Sequence, residues 1–308
     1  MGEISITSGI SAGIDVSSTN FTAVTVDAGG SVLRRFSTPI DRSSESVPQL
    51  AAFAASLKEH IGDFETLGVS VPGLVNRKMN RVEYSTEFPE HSKNDLAGAI
   101  SDAASVSARI ENDANAGAFG EFTVGAGKGS TDMFYATLGS GIGGSLIIGG
   151  EIWRGGSGFA GEFGYMAINS DGIRLEDVAS SGNIVRRTRS RFHQDSTSVL
   201  SKLDEDQITI HAIVDAAAKE DDFAILMLER TGIYIGSAIA SVINLLNIEQ
   251  IVLGGEIMKA GAVVLEAISR RAKELSFGPA FANTNIRAGV LGDEAAAIGV
   301  ALLARQAG

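Results

Sequence analysis

The chain has 308 residues, of which 44% are hydrophobic, so it can form one large domain or two ordinary domains with a substantial core. Its net charge of −12 repels a nucleic-acid backbone, and its lack of cysteine excludes disulfides and thiolate metal sites. No apolar N-terminal segment is visible, so we expect a cytoplasmic protein without a membrane or nucleic-acid partner.

The first predicted elements are short strands joined by turns of small residues. Strands are expected at Gly13–Val16, Phe21–Val26 and Ser31–Phe36. The turn after the first of them is Ser17-Ser18-Thr19. A helical pattern at Val47–Ile61 is followed by an apolar strand that ends in Val71-Pro72-Gly73. Further along, a helix at Asn94–Ala104, a strand at Ser107–Glu111 and a helix at Ala114–Phe122 are predicted.

The segment Met133–Trp153 repeats the opening plan of strand, turn, strand, turn and strand. Gly139, Gly141 and Gly144 within it match the G-x-G-x-x-G pattern of dinucleotide-binding folds. In those folds the pattern opens a helix, whereas Ser145–Ile148 continues as a strand. We therefore interpret these glycines as a turn between strands, and not as a dinucleotide site.

The second half also repeats the later elements of the first half. A long helical pattern at Asp222–Leu246 precedes the apolar strand Ile251–Leu253 and the pair Gly254-Gly255, and a last helix is expected at Glu294–Arg305. The duplication predicts two α/β domains, each with a mixed five-stranded sheet, and a cleft between them. We expect residues 1–116 with 294–308 in the smaller domain and residues 117–293 in the larger one.

The stretch from Glu111 to Gly164 carries the candidate chemistry. Asp113, flanked by amide side chains, can accept a proton from a hydroxyl group, and the glycine turn can bring backbone N–H groups against a phosphate. Together they indicate phosphoryl transfer to a polyol. The spacing alone equally fits a structural role for Asp113, as the N-cap of the helix that begins at Ala114.

Several motifs in sequence order resemble those of the ROK sugar kinases, which have the duplicated ribonuclease-H-like fold of actin, hexokinase and the heat-shock chaperone ATPases. The motifs are Glu111–Asn115, Leu138–Gly144 and Gly161–Gly164, supported by Val71–Gly73, Leu253–Gly255 and Leu291–Asp293. The resemblance extends from Gly13 to Leu303. It implies a homodimeric glucokinase of carbohydrate metabolism, such as glycolysis, that uses ATP and Mg²⁺. Repressor members carry an N-terminal DNA-binding segment, for which there is no room before a first strand at about Ile10.

The resemblance assigns Asp113 as the catalytic base that activates the sugar 6-hydroxyl. It also implies a set of sugar-binding residues: Gly73, Asn112, Asp113, Glu162, Tyr165 and Glu176. For the nucleotide it implies that Asp15 orients hydrated Mg²⁺ and that Thr19 and the Ser140 turn hold phosphates. The implied nucleotide-binding residues are Asp15, Thr19, Gly139, Ser140, Gly141, Gly254 and Gly255.

Three departures from the family pattern leave alternatives open. Ser17 and Ser18 stand where the family has glycines, Tyr165 stands where it has histidine, and the zinc loop with three cysteines is missing. We therefore expect no zinc site, and we interpret His60, His91, His193 and His211 as surface or structural residues. The alternatives to a glucokinase are a non-catalytic sugar-binding regulatory protein and an N-acetylmannosamine or N-acetylglucosamine kinase.

Overall fold

The computed structural model describes residues 9–306 of the chain. Contacts divide it into two compact units. The first takes in the described parts of Met1–Thr131, Ser145–Ala160 and Leu291–Gly308, and the second consists of Asp132–Gly144 and Gly161–Val290. The domain boundary that we expect between residues 116 and 117 stays a prediction.

The strands form two five-stranded mixed sheets and one small hairpin. They are β1 (Ser11–Val16), β2 (Asn20–Val26), β3 (Val32–Pro39), β4 (Thr66–Val71), β5 (Leu74–Asn76), β6 (Arg81–Tyr84), β7 (Ala108–Asn112), β8 (Met133–Leu138), β9 (Ile142–Ile148), β10 (Glu151–Trp153), β11 (Gln250–Gly254) and β12 (Asn285–Ala288). The sheet orders are β3-β2-β1-β4-β7 and β10-β9-β8-β11-β12, and β5 pairs with β6. The two large sheets share one topology, so the predicted duplication and the mixed five-stranded sheets are confirmed.

The helices follow the strands closely in sequence. They are α1 (Ser46–Ile61), α2 (Leu96–Ala104), α3 (Asp113–Val124), α4 (Glu176–Ala179), α5 (Ser181–Arg189), α6 (Ile210–Ala217), α7 (Asp222–Leu246), α8 (Ala262–Leu275), α9 (Gly278–Ala282) and α10 (Ala295–Ala304). The predicted bounds of α1, α2, α3, α7 and α10 differ from these by at most two residues, whereas α5, α6 and α8 were not predicted. The polar segment 190–206 contains only turns and short 3-10 helices.

Within the first unit, the sheet is covered by helices whose apolar residues recur at helical spacing. Leu50, Phe53 and Leu57 of α1 are buried with the strand residues Ile14 and Val69 in one core. Helix α10 has apolar or small residues on all its faces, as expected for a buried helix. It packs against β1, β4 and α3.

Three glycines allow α10 to lie this close to its neighbours. A Cβ atom at Gly299 would overlap the carbonyl oxygen of Ala116 in α3. Cβ atoms at Gly13 in β1 and Gly68 in β4 would likewise overlap the backbone of α10. Residue size at these positions therefore sets the distance between α10, the sheet and α3.

Helix α7 is the one described helix that is long and apolar enough to cross a membrane by length and composition. However, 61% of its most apolar window is buried inside the protein. Met227, Ile235 and Ile239 are among its buried side chains. This burial is typical of a core helix.

The outer edge of β7 is occupied by a side chain from the β5–β6 turn. Asn80 Nδ2 donates to the carbonyl oxygen of Ala108, and Asn80 Oδ1 accepts from the backbone N–H of Ile110, both at 2.8 Å. Asn80 has a φ of 50°, a left-handed conformation that asparagine tolerates better than most residues. The side-chain amide of Asn80 thus makes the two hydrogen bonds with β7 that a neighbouring strand would make there.

Candidate functional site

In the first unit, three parallel strands end side by side and carry the candidate catalytic residues. The register places Asp15 of β1 opposite Ser70 of β4, and Ser70 opposite Glu111 of β7. Asn112 ends β7, and Asp113 begins α3 directly after it. Ligands of open α/β sheets commonly bind at the carboxyl ends of strands, so this edge is a plausible reaction site.

Asp15 is a desolvated carboxylate with one hydrogen-bond donor in the sheet. Burial is the main cause that raises the pKa of Asp15 to about 7; the hydrogen bond from Ser70 acts against it, and the nearby charge of Asp113 adds a smaller upward effect. A hard divalent cation would offset both unfavourable effects. The residue therefore fits the predicted role of orienting Mg²⁺ through water.

The N-cap of α3 is Asn112, so the alternative structural role of Asp113, as the cap of this helix, is not what the structure shows. Asn112 Oδ1 accepts from the backbone N–H of Asn115 at 3.0 Å, and its Nδ2 donates to Gly73 and to the Asp113 carboxylate. Asp113 is the first helical residue and accepts from the N–H of Ala114 at 2.8 Å. Asn112 both caps the helix and orients the carboxylate of the candidate base.

A buried polar network centred on Glu111 stabilises the start of α3. Glu111 accepts from the Asn112 N–H and from Asn115 Nδ2, each at 3.0 Å, and pairs with Arg154 at 2.6 Å. Ser145 donates to Asn115 Oδ1 at 2.7 Å. Only 7% of the Glu111 side chain is exposed, so this ion pair and its hydrogen bonds fix the carboxylate in one position.

The serine turn after β1 closes without glycine. Ser17 Oγ accepts from the N–H groups of Thr19 and Asn20 and donates to the carbonyl oxygen of Asn20. Neither Ser17 nor Ser18 has a positive φ, so their side chains cause no backbone strain. Thr19 is exposed, and its hydroxyl accepts from Asn20 Nδ2 at 2.9 Å. The Ser17 hydroxyl thus belongs to the turn itself.

In the second unit, the predicted phosphate turn joins β8 to β9. The N–H of Gly139 donates to the carbonyl oxygen of Gly141 at 3.0 Å, and Ser140 and Gly141 are exposed. Ser181, at the start of α5, donates its N–H to the carbonyl oxygen of Gly139 at 2.8 Å. The hydrogen bond from Ser181 therefore stabilises the turn, and Ser140 and Gly141 remain accessible to a ligand.

The second predicted nucleotide segment, Gly254-Gly255, lies beside this turn. Gly255 has a φ of 90°, and a Cβ there would overlap the backbone at the end of β8. Glu256 follows and accepts from the hydroxyl of Ser181 at 2.6 Å. A Cβ at Gly139 would lie 3.6 Å from Glu256. The two glycine segments therefore form one surface, as a nucleotide site requires.

The predicted sugar-binding glutamates of the second unit are also neighbours. Burial raises the pKa of Glu162, and the charge of Glu176 raises it further. Glu176 accepts from the N–H of Ile142 at 2.8 Å, which ties it to the glycine turn. Tyr165 is 58% exposed, and its ring lies 4.8 Å from the guanidinium carbon of Arg174.

Local hydrogen bonds close the shortened loop where the family has its zinc site. Ile168 donates its N–H to Ile173 at 2.9 Å, and Asn169 Oδ1 accepts from the N–H of Ile173 at 3.0 Å. The Tyr165 ring contacts the guanidinium group of Arg174, which directly follows Ile173. Within residues 9–306, no group of three or more His, Cys, Asp or Glu side chains is arranged to hold a metal ion.

His91 is a structural residue. It is fully buried, and its Nε2 lies 2.9 Å from Ser46 Oγ, which also bonds to Glu90. Burial lowers the pKa of His91 to about 4, although the charge of Glu90 acts in the opposite direction. His91 is therefore neutral at pH 7, and its ring stacks on Phe88 at 4.8 Å.

Sequence reasoning missed the residues that support the site. The only sequence signal for Ser70 is that a polar residue stands in the otherwise apolar second half of strand β4. Arg154 lies 43 positions from Glu111, and the hydroxyl of Ser181 lies 75 positions from Glu256, so neither pair has a local pattern.

The chain is similar to known proteins in sequence and in fold. The model of the ROK family matches residues 11–307. The glucokinase of Halalkalibacterium halodurans is 28% identical over 96% of this chain and 94% of its own length. The glucokinase of Thermotoga maritima is 27% identical over 96% of each chain. The crystal structure of a ROK family glucokinase from Streptomyces griseus with glucose and AMPPNP has a TM-score of 0.87 and 28% identity, covering 97% of this chain and 100% of that one.

Proposed function

The chain belongs to the ROK family, and on this premise we propose that it is an ATP-dependent hexose kinase acting on the 6-hydroxyl of glucose. The observation that carries the proposal is Asp113, held at the end of β7 by Asn112 and near the half-buried Asp15. The glucokinases of similar sequence, which cover nearly the whole chain, support glucose as the substrate.

In the proposed mechanism, Asp113 accepts the proton of the sugar 6-hydroxyl as that oxygen attacks the terminal phosphorus of ATP. The bond from phosphorus to the bridging oxygen breaks, and ADP leaves with that electron pair. Asn112 keeps the Asp113 carboxylate oriented through its Nδ2 group, at 2.9 Å. Mg²⁺, when bound, would neutralise charge on the phosphates, and Asp15 would hold its water ligands.

The second unit would contribute residues to the binding of both substrates. The exposed Ser140 and Gly141 of the glycine turn would offer backbone N–H groups to phosphates, and the adenosine would lie against the backbone of Gly254-Gly255. Glu162 and Glu176 would accept hydrogen bonds from sugar hydroxyls, with Tyr165 beside them. Because Ser17 uses its hydroxyl within its own turn, Thr19 is the side chain of that turn that would contact phosphate.

An ADP-release assay with a panel of sugars tests the proposal. The panel contains glucose, mannose, fructose, N-acetylmannosamine and N-acetylglucosamine, with ATP and Mg²⁺. We expect the highest kcat/KM with glucose. Preference for an acetylated sugar would make the protein an N-acetylhexosamine kinase. If no sugar is phosphorylated but calorimetry shows tight glucose binding, the regulatory alternative replaces the kinase.

We also propose a cytoplasmic homodimer that depends on Mg²⁺ and holds no structural zinc. Local hydrogen bonds at Ile168, Asn169 and Ile173 support the last point, because they close the loop without a metal. Elemental analysis of chelator-washed protein should find no stoichiometric zinc. Light scattering during gel filtration should give twice the chain mass of 32.0 kDa.

A further inference from the structure

A cavity of about 270 Å³ in the first unit has no role in the proposed reaction. It is bordered by the β5–β6 turn, by β7 and by α10. Its polar wall contains Arg77, Asn80, Ser107, Arg109 and Glu111. Apolar side chains of α10, Val300 and Leu303 among them, complete the lining.

Positive charge is concentrated around this cavity, although the chain as a whole carries −12. Burial lowers the pKa of Arg77, and the positive charges of Arg154 and Arg109 act in the same direction, while Glu111 and Glu151 oppose them. Guanidinium groups are held near one another only at an electrostatic cost unless an anion lies between them.

The hydrogen-bonding capacity of these arginines is also mostly unused. Arg77 is an exposed residue, and its guanidinium makes no hydrogen bond or ion pair with another residue within residues 9–306. Arg109 donates from Nη1 to the carbonyl oxygen of Gln306 at 2.6 Å, which leaves its other donors available. Glu111 cannot neutralise them fully, because its carboxylate already pairs with Arg154 and accepts from Asn115.

We propose that this cavity binds a small molecule that carries one or more phosphate groups. Guanidinium forks match phosphate oxygens in charge and geometry, and two of them converge here. The volume lies just below the roughly 300 Å³ at which typical ligand pockets begin, so the ligand is compact. The apolar wall from α10 would contact its organic part.

The same cavity is connected to the start of α3 through Glu111. This carboxylate lines the cavity and also accepts from the Asn112 N–H, next to Asp113. An anion in the cavity would repel Glu111 and loosen its hold on Asn112. We therefore expect the ligand to lower kcat without competing with sugar or ATP, a regulatory effect that rests on the proposed kinase function.

Calorimetric titration with pyrophosphate tests the binding site itself. The protein is first saturated with AMPPNP and glucose, so that the proposed substrate sites are filled. Arg77→Gln and Arg109→Gln should each weaken pyrophosphate binding by about tenfold or more, since each removes charge-assisted hydrogen bonds. Arg81→Gln, in the same hairpin but outside the cavity lining, is the matched control and should bind like the parent.

Glucose 6-phosphate and inorganic phosphate form the second and third arms, which separate an organic phosphate ester from free phosphate. No binding of any of the three probes at millimolar concentration would overturn the proposal. So would equal losses in Arg77→Gln and Arg81→Gln, because they would show diffuse attraction only. Binding that depends on Arg77 in a protein without kinase activity would keep this site and reject the proposed function.

Discussion

Ser70 donates a hydrogen bond to the Asp15 carboxylate across the parallel strands β1 and β4. This bond partly offsets the cost of placing a carboxylate in a desolvated position near Asp113. A cation at this site would offset the remaining unfavourable free energy of the ionised Asp15 carboxylate. Asp15 is therefore a residue whose removal should stabilise the apoprotein and impair the enzyme.

We expect Asp15→Asn to raise the free energy of unfolding in EDTA, and more at pH 8 than at pH 5. The pKa of Asp15 is raised to about 7 in the folded protein, so its protonated form stabilises the fold fully below pH 4, and this stabilisation is lost as the pH rises towards 7. The difference between the two pH values should be about 1–3 kcal/mol by urea unfolding. An equal effect at both pH values would contradict the raised pKa.

The same variant should need more Mg²⁺ for half-maximal activity, because one charge near the phosphates is lost. Asp102→Asn, an exposed aspartate on α2, serves as the control and should leave the Mg²⁺ requirement unchanged.

Asp113→Asn should lower kcat by about two to four orders of magnitude, the usual range for loss of a general base. The amide can still accept from the Ala114 N–H, so glucose affinity and melting temperature should change little. Steady-state kinetics and calorimetry measure the two effects separately. Retention of most of the activity would show that another group is the base.

Glu162→Gln should raise the KM for sugar by about tenfold to a hundredfold, because hydrogen bonds to a charged acceptor are stronger than those to an amide. Its effect on kcat should be smaller. Glu205→Gln, at an exposed glutamate of the polar segment, is the control. If Glu162→Gln changed kcat and not KM, its assignment to sugar binding would be wrong.

Arg154→Gln should destabilise the protein by about 2–4 kcal/mol, since it leaves Glu111 largely buried without its ion partner. The exposed pair Arg81–Glu83 provides the comparison, and Arg81→Gln should cost at most about 1 kcal/mol. Denaturant titration gives both values. Similar small losses in the two variants would mean that the Glu111 network does not hold α3.

Gly299→Ala should destabilise the protein by about 1–3 kcal/mol or more, because its Cβ would overlap the Ala116 carbonyl oxygen in a packed core. Gly182→Ala is the control, since a Cβ at that helical position meets nothing within 4 Å. Thermal melting should separate the two variants clearly. A Gly299 variant as stable as the parent would show that α3 can move away from α10.

The sequence predicted α1, α2, α3, α7, α10 and the duplicated sheets because hydrophobic periodicity and glycine turns are local signals. It placed the start of α3 within one residue, but the cap it considered was Asp113 and not Asn112, because the two residues are adjacent and both types can cap a helix. The position at which β7 ends determines which of the two residues caps the helix: β7 ends at Asn112, and α3 begins at Asp113. The Glu111–Arg154 pair and the cationic cavity join residues from distant parts of the chain, so no local pattern reveals them.

The Asn80 amide has a further consequence for the behaviour of the protein at high concentration. An edge strand with free N–H and C=O groups is a template on which another chain can add a strand, which leads to domain swapping or aggregation. At Ala108 and Ile110 the chain's own turn already occupies these groups. The β5–β6 turn therefore protects the β7 edge of the first sheet from intermolecular strand pairing.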